Sequence, residues 1–166
     1  MKILKPILCI ILLIQSTYIF AQSTQVANKP DRVQWYQDLG FGLFIHWNVD
    51  VTLGAVISHS LSGASDEYVE RYFSELPKYF NPEKFNPTEW AKLAKLAGMK
   101  YVVFTTKHHS GFCMFKTETT PLNVINTPFG RDITKEIVDA FRKEGIAIGF
   151  YFSPEDFQYF YNHKIP

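Results

Sequence analysis

The sequence predicts an α/β fold, the N-terminal portion of a (β/α)8 TIM-type barrel truncated after about three strands. Three observations point there. Apolar runs rich in β-branched and aromatic residues recur at residues 41–47, 101–106 and 146–152, the composition of strands covered on both faces. Segments of helical period lie between them, at 86–97 and 132–143. Each run ends in polar side chains, at the strand end where α/β folds place their binding sites.

Taken in order, residues 1–21 read as a secretory signal peptide. Lys2 and Lys5 flank the start of an apolar core over residues 7–14, and cleavage is expected near Ala21. The core is too short to span a bilayer, so the expected product is secreted or periplasmic, with no membrane association after signal removal. Cys9 lies inside that core, which leaves Cys113 as the lone cysteine of the mature chain and no intrachain disulfide. Residues 22–31 are polar and aperiodic, a flexible leader. Residues 32–166 form the partial barrel domain.

Within it, residues 32–39 read as a short helix and 41–47 (FGLFIHW) as a strand ending at His46. The following connection, 48–85, carries a short helix at 66–73 and is longer than a plain crossover needs, as working loops are. Asn86, Pro87 and Glu89 then supply an N-cap, a first-turn proline and a capping-box partner. Trp90, Leu93, Ala94 and Ala97 form the apolar face of that helix, and Gly98 ends it. The strand at 101–106 runs into Lys107-His108-His109-Ser110-Gly111. Neighbouring strand residues point to opposite faces, so two adjacent histidines share a pocket only if the chain leaves strand geometry there, a bend Gly111 permits.

After a Thr-, Pro- and Asn-rich loop at 117–131, Ile133, Ile137, Val138 and Phe141 mark the next helix. The strand at 146–152 follows and ends in Ser153-Pro154-Glu155-Asp156. Asp50, Glu155 and Asp156 read as loop or cap residues, since acids commonly follow strands. His59 and His163 read as surface residues.

The strand-helix alternation fits a barrel or a doubly wound sheet; no Gly-x-Gly-x-x-Gly or Gly-x4-Gly-Lys-Ser/Thr loop follows a strand, which counts against nucleotide binding and favours the barrel. A net charge of +1 with interspersed signs excludes a basic stripe for nucleic acid and a polybasic membrane patch. Aromatic residues make up 16% of the chain, a supply of rings for stacking on sugars as well as for a large-residue core. A barrel of this kind takes about 250 residues, whereas the chain has 166, so it reads as the N-terminal part of a longer protein or as a truncated open reading frame.

FGLFIHW at 41–47, KYVVFTTKHHSGF at 100–112, GRD at 130–132 and GFYFS at 149–153, in this order and spacing, resemble the α-L-fucosidases of glycoside hydrolase family 29. The resemblance implies a (β/α)8 catalytic barrel and retaining hydrolysis of terminal α-L-fucose, with a fucosylated oligosaccharide or glycoconjugate as partner and no cofactor. It makes His46, His108 and His109 the histidines that hydrogen-bond the sugar hydroxyls. It makes Glu67 a further hydroxyl ligand, Tyr68 the replacement for a tryptophan, and Tyr151 a residue lining the pocket. Neutral imidazoles suit this role because they both donate and accept, as sugar hydroxyls do.

Two positions depart from the family pattern: Ser110 stands where aspartate is usual and Asn48 where glycine is usual. The family's nucleophile and acid/base are expected beyond Pro166. Two other readings stay open. One is a non-catalytic fucose- or carbohydrate-binding remnant. The other is a metal-dependent barrel hydrolase with His46, His108 and His109 as ligands.

Overall fold

The computed structural model describes residues 28–55 and 58–165. The expected signal peptide, and most of the leader after it, lie outside the described residues. Two compact units divide the chain between Asp38 and Leu39. The first holds helix α1, Pro30–Leu39 apart from its last residue, which starts two residues before the expected boundary. Proline is at home in a first helical turn because the amide hydrogen it lacks has no partner there. Asp31 complements the helix dipole, and Gln34 Nε2 donates to Asp38 Oδ1 one turn on, at 2.8 Å.

The second unit is built on a parallel sheet of β1 (Gly42–Ile45), β2 (Tyr101–Lys107) and β3 (Ala147–Phe152), in the order β1-β2-β3. Gly42 pairs with Tyr101 and Ile45 with Phe104, and on the other side Tyr101 pairs with Ala147 and Thr105 with Tyr151. Helices α3 (Pro87–Leu96) and α4 (Ile133–Lys143) make the two crossovers, and they pack against each other. Each starts as its sequence directs: Asn86 Oδ1 accepts from the Glu89 amide at 3.2 Å, and Asp132 Oδ1 from the Lys135 amide at 2.8 Å.

The core lies between these helices and one face of β2. Val102 and Phe104 meet Ile133, Ile137 and Phe141, all fully buried, and each such side chain contributes roughly 1.5–3 kcal/mol by leaving water. Expectation and structure differ in two places. The central strand β2 is buried from Phe104 to Lys107, with Tyr101 and Val103 half-buried, whereas on the edge strand β3 Phe150 and Phe152 are more than half exposed. On α3 the buried residues are Pro87, Ala91 and Ala94, while Leu93 is 67% exposed. The stripe at 90, 93, 94 and 97 turns toward the flank of β1, where Trp90 and Leu93 line an open apolar groove with Leu43 and Ile45.

The long connection after β1 is structured. It comprises 3-10 turns at Val49–Leu53, Ser58–Leu61 and Leu76–Tyr79, with helix α2 (Asp66–Glu75) between the last two, capped by Ser65. Trp47 anchors its start, with its ring 5.5–5.9 Å from those of Phe80, Phe85 and Trp90. A last helix, α5 (Phe157–His163), follows β3. Among the described residues no helix is long and apolar enough to cross a membrane.

Candidate functional site at the carboxyl ends of the strands

The chain leaves β2 after Lys107 and turns at once. Gly111 adopts φ +87° and its amide donates back to the His108 carbonyl at 3.0 Å. This is the bend that two adjacent histidines require. Their rings meet edge to face at 4.3 Å between centroids, and His46, arriving just past β1, lies 4.9 Å from His108. Tyr151 from β3 stacks on His108 at 5.8 Å and also faces His46 at 6.3 Å. Three consecutive parallel strands therefore deliver four of the six expected ligand residues to one cluster.

The other two lie on α2. Glu67 is exposed in its first turn, where a carboxylate complements the helix dipole. Tyr68 lines a cavity of about 420 Å³ with Leu53, Tyr72 and Tyr79, and among the described residues the ring contacts of the histidine cluster do not extend to it.

Each histidine of the pair is held by its Nδ1. His109 Nδ1 lies 2.6 Å from Ser153 Oγ and 2.9 Å from Glu155 Oε2, and its ring stacks on Phe157 at 5.6 Å. His108 Nδ1 lies 3.1 Å from the Ser58 hydroxyl. Ser58 in turn donates to Asp50 Oδ2 at 3.2 Å, and the Tyr72 hydroxyl donates to Asp50 Oδ1 at 2.5 Å. Asp50, Ser58, Tyr72 and His108 are all buried.

Burial sets the charge of this network. It pushes the Asp50 carboxyl above its usual range, opposed by the hydrogen bonds from Tyr72 and Ser58. Burial and the neighbouring Asp50 charge drive the Tyr72 hydroxyl strongly upward, so it keeps its proton. Burial, helped by the charges of His109, His46, His59 and Lys107, lowers His108 to about 4, so its ring is neutral near pH 7.

Lys107 is 6% exposed and fully engaged: its ammonium donates to the Ser153 and Glu155 carbonyls at 3.1 and 2.9 Å and pairs with Asp156 at 3.2 Å. It ties the end of β2 to the loop after β3. Asp156 is the N-cap of α5, as its position after a strand suggested. Asp50 is not the loop acid the sequence implied but the buried centre of a polar network, and Glu155 reaches His109. His59 is exposed, as read from the sequence, and its ring stacks over His109 at 6.4 Å. His163 is exposed and rests on Tyr159.

The two departures from the family pattern touch each other. Ser110 Oγ donates to Asn48 Oδ1 at 3.2 Å, and Asn48 Nδ2 donates to the Phe112 carbonyl at 3.3 Å, so the pair stitches the β1 loop to the histidine turn. Ser58 and Tyr72, and the buried role of Asp50, escaped the sequence reading because no spacing rule joins residues 50, 58, 72 and 108. Cys113 is buried with its thiol pushed up to about 11 by burial, a packing residue. Among the described residues no group of three or more His, Cys, Asp or Glu side chains could hold a metal ion, so the metal-dependent reading finds no ligand set there.

A parallel α/β sheet thus presents three imidazoles and an aromatic ring at its strand ends, two of the imidazoles anchored through Nδ1. The family model described as alpha-L-fucosidase matches residues 11–165, and the chain belongs to that family. A putative alpha-L-fucosidase of Caenorhabditis elegans is 32% identical over 81% of this chain and 30% of its own length. The alpha-L-fucosidase of Dictyostelium discoideum is 30% identical over 89% of this chain and 36% of its own. Among solved structures, alpha-L-fucosidase isoenzyme 1 from Paenibacillus thiaminolyticus superposes with a TM-score of 0.66 at 45% identity, over 75% of this chain and 29% of that one. A GH29 alpha-L-fucosidase from Bacteroides thetaiotaomicron, trapped as a covalent intermediate with 2-fluoro-fucosyl fluoride, gives 0.67 at 36% identity, over 81% and 32%. The chain thus spans about a third of the length of these relatives.

Proposed function

We propose that this chain is the sugar-gripping sector of a retaining α-L-fucosidase acting on terminal α-L-fucose of glycans. The observation that carries the reading is the convergence of His46, His108, His109 and Tyr151 from three successive strand ends onto one cluster. In this reading the three-stranded sheet is part of a (β/α)8 barrel. The imidazoles bind the fucose hydroxyls, Tyr151 lines the sugar, and Glu67 and Tyr68 approach it from α2. Residues 1–21 direct export, and the working protein is secreted or periplasmic.

Retention requires two carboxyl groups about 5–5.5 Å apart across the scissile bond, one as nucleophile and one as acid/base. The carboxylates near the histidines have other duties. Asp50 is sealed under Ser58 and Tyr72, Asp156 caps a helix and pairs with Lys107, and Glu155 holds His109. None of these three carboxylates is placed to act as nucleophile or acid/base, and the chain by itself binds without turning over.

The test is a titration of the full chain with L-fucose, followed by NMR, beside an assay with 4-nitrophenyl α-L-fucoside. Shifts centred on His46, His108, His109 and Tyr151, with no nitrophenol released, are expected. A folded chain indifferent to saturating L-fucose refutes the sugar site. Sustained nitrophenol release refutes the placement of the carboxylates.

A further inference from the structure

The hydroxyl of Ser58 has one proton and two lone pairs, and three polar neighbours compete for them. The Ser110 amide lies 3.0 Å away and can only donate. Asp50 Oδ2 lies 3.2 Å away and, as a carboxylate, can only accept. The third neighbour is His108 Nδ1, at 3.1 Å, whose role depends on where the ring carries its proton. The serine proton therefore goes to Asp50, one lone pair takes the Ser110 amide, and the other is left for His108. That bond forms only if Nδ1 brings a hydrogen.

We infer that Ser58 and Asp50 are positioning residues that hold His108 in the Nδ1–H tautomer, so that Nε2 presents an unprotonated lone pair to a hydroxyl donor of the ligand. Tyr72 completes the arrangement from α2 by donating to the other oxygen of Asp50 at 2.5 Å, which keeps that carboxylate an acceptor. The opposite arrangement has a definite form: a protonated Asp50 would donate to Ser58, Ser58 would donate to Nδ1, and His108 would carry its hydrogen on Nε2. The direction of the whole chain of bonds is set by one proton on Asp50.

A second feature agrees. The neighbouring imidazole, His109, is also held at Nδ1, by Ser153 and Glu155. The fold thus grips both rings by the same nitrogen and leaves Nε2 of each on the far side from its anchor. Burial keeps the His108 ring neutral near pH 7, so the Nε2 lone pair persists there. For a polyhydroxylated ligand the consequence is a direction of bonding: the hydroxyl that meets His108 must donate, and a methoxy group in its place would be rejected. The identity of that ligand rests on the fucose reading above, whereas the tautomer does not.

The experiment is a long-range proton–nitrogen correlation spectrum of the histidine rings in the 15N-labelled full chain near pH 7, with and without L-fucose, the His108 signals being assigned by their loss in His108→Gln. The expected spectrum shows a protonated Nδ1 and a pyridine-type Nε2, and the Nε2 signal moves when L-fucose is added. Ser58→Ala removes the acceptor, so the tautomers mix and L-fucose affinity falls on the order of tenfold. A protonated Nε2 in the wild-type chain overturns the inference without any variant, and so does a tautomer that Ser58→Ala leaves unchanged. A protonated Nδ1 whose partner Nε2 ignores L-fucose supports the positioning role and overturns the sugar reading instead.

Discussion

Replacing Gly111 with alanine probes the turn that gathers the histidines. At φ +87°, a residue with a side chain is strained by roughly 1–2 kcal/mol. The added Cβ would also lie 2.6 Å from Asp156 Oδ1 and 3.0 Å from its Cγ, far inside van der Waals contact. The carboxylate would have to move. Asp156 accepts the Tyr159 amide at 2.9 Å as the cap of α5, and pairs with buried Lys107 at 3.2 Å. Loss of a cap costs about 1 kcal/mol, and a buried ammonium deprived of its counter-ion adds a similar amount. The sum is roughly 3–4 kcal/mol.

Urea denaturation should show a lower midpoint for Gly111→Ala at unchanged m-value. The same substitution in an Asp156→Ala background should cost only the backbone part, so the two changes should couple by about 1 kcal/mol or more. Additive effects within about 0.5 kcal/mol, or a single-variant cost below about 1 kcal/mol, would refute the contact between the turn and the α5 cap.

The remaining predictions concern protonation and reactivity. His108 is held at about 4 in the folded chain against an ordinary 6.5, so the stability it confers is complete above pH 6.5 and is lost as pH falls toward 4. Between pH 7 and pH 4 the wild-type chain should lose on the order of 3 kcal/mol relative to His108→Gln, measured by urea unfolding at each pH; parallel curves would show that the ring is not desolvated. The Cys113 thiol, buried and raised to about 11, should react with a thiol reagent at pH 8 only as fast as the protein opens, read by peptide mapping; rapid labelling of the native chain would contradict its packing role.

Much of this architecture is written locally. Asn86-Pro87 and Asp132 announce helix starts, Gly98 announces a stop, and Ile133, Ile137 and Phe141 mark a buried face that the structure retains. These signals are legible because capping, backbone freedom and helical period act within a few residues. The histidine turn belongs with them: Lys107 to Gly111 is a strand end followed by the one residue type that takes φ +87° without strain. Leu93 shows the limit. Its periodicity is that of a core residue, but whether an apolar face is covered depends on which neighbour lies across from it.

The order of elements, their parallel arrangement, the end at which the polar residues gather, and the family are all legible in the residues alone. How the histidines are held follows from the packing alone. Tyr72, Asp50, Ser58 and His108 come from four separate stretches of chain, and Ser110 meets Asn48 across 62 positions. Hydrogen bonds between residues so far apart follow no periodicity. They form because the long connection after β1 folds back over the strand ends and brings Asp50, Ser58 and Tyr72 against His108.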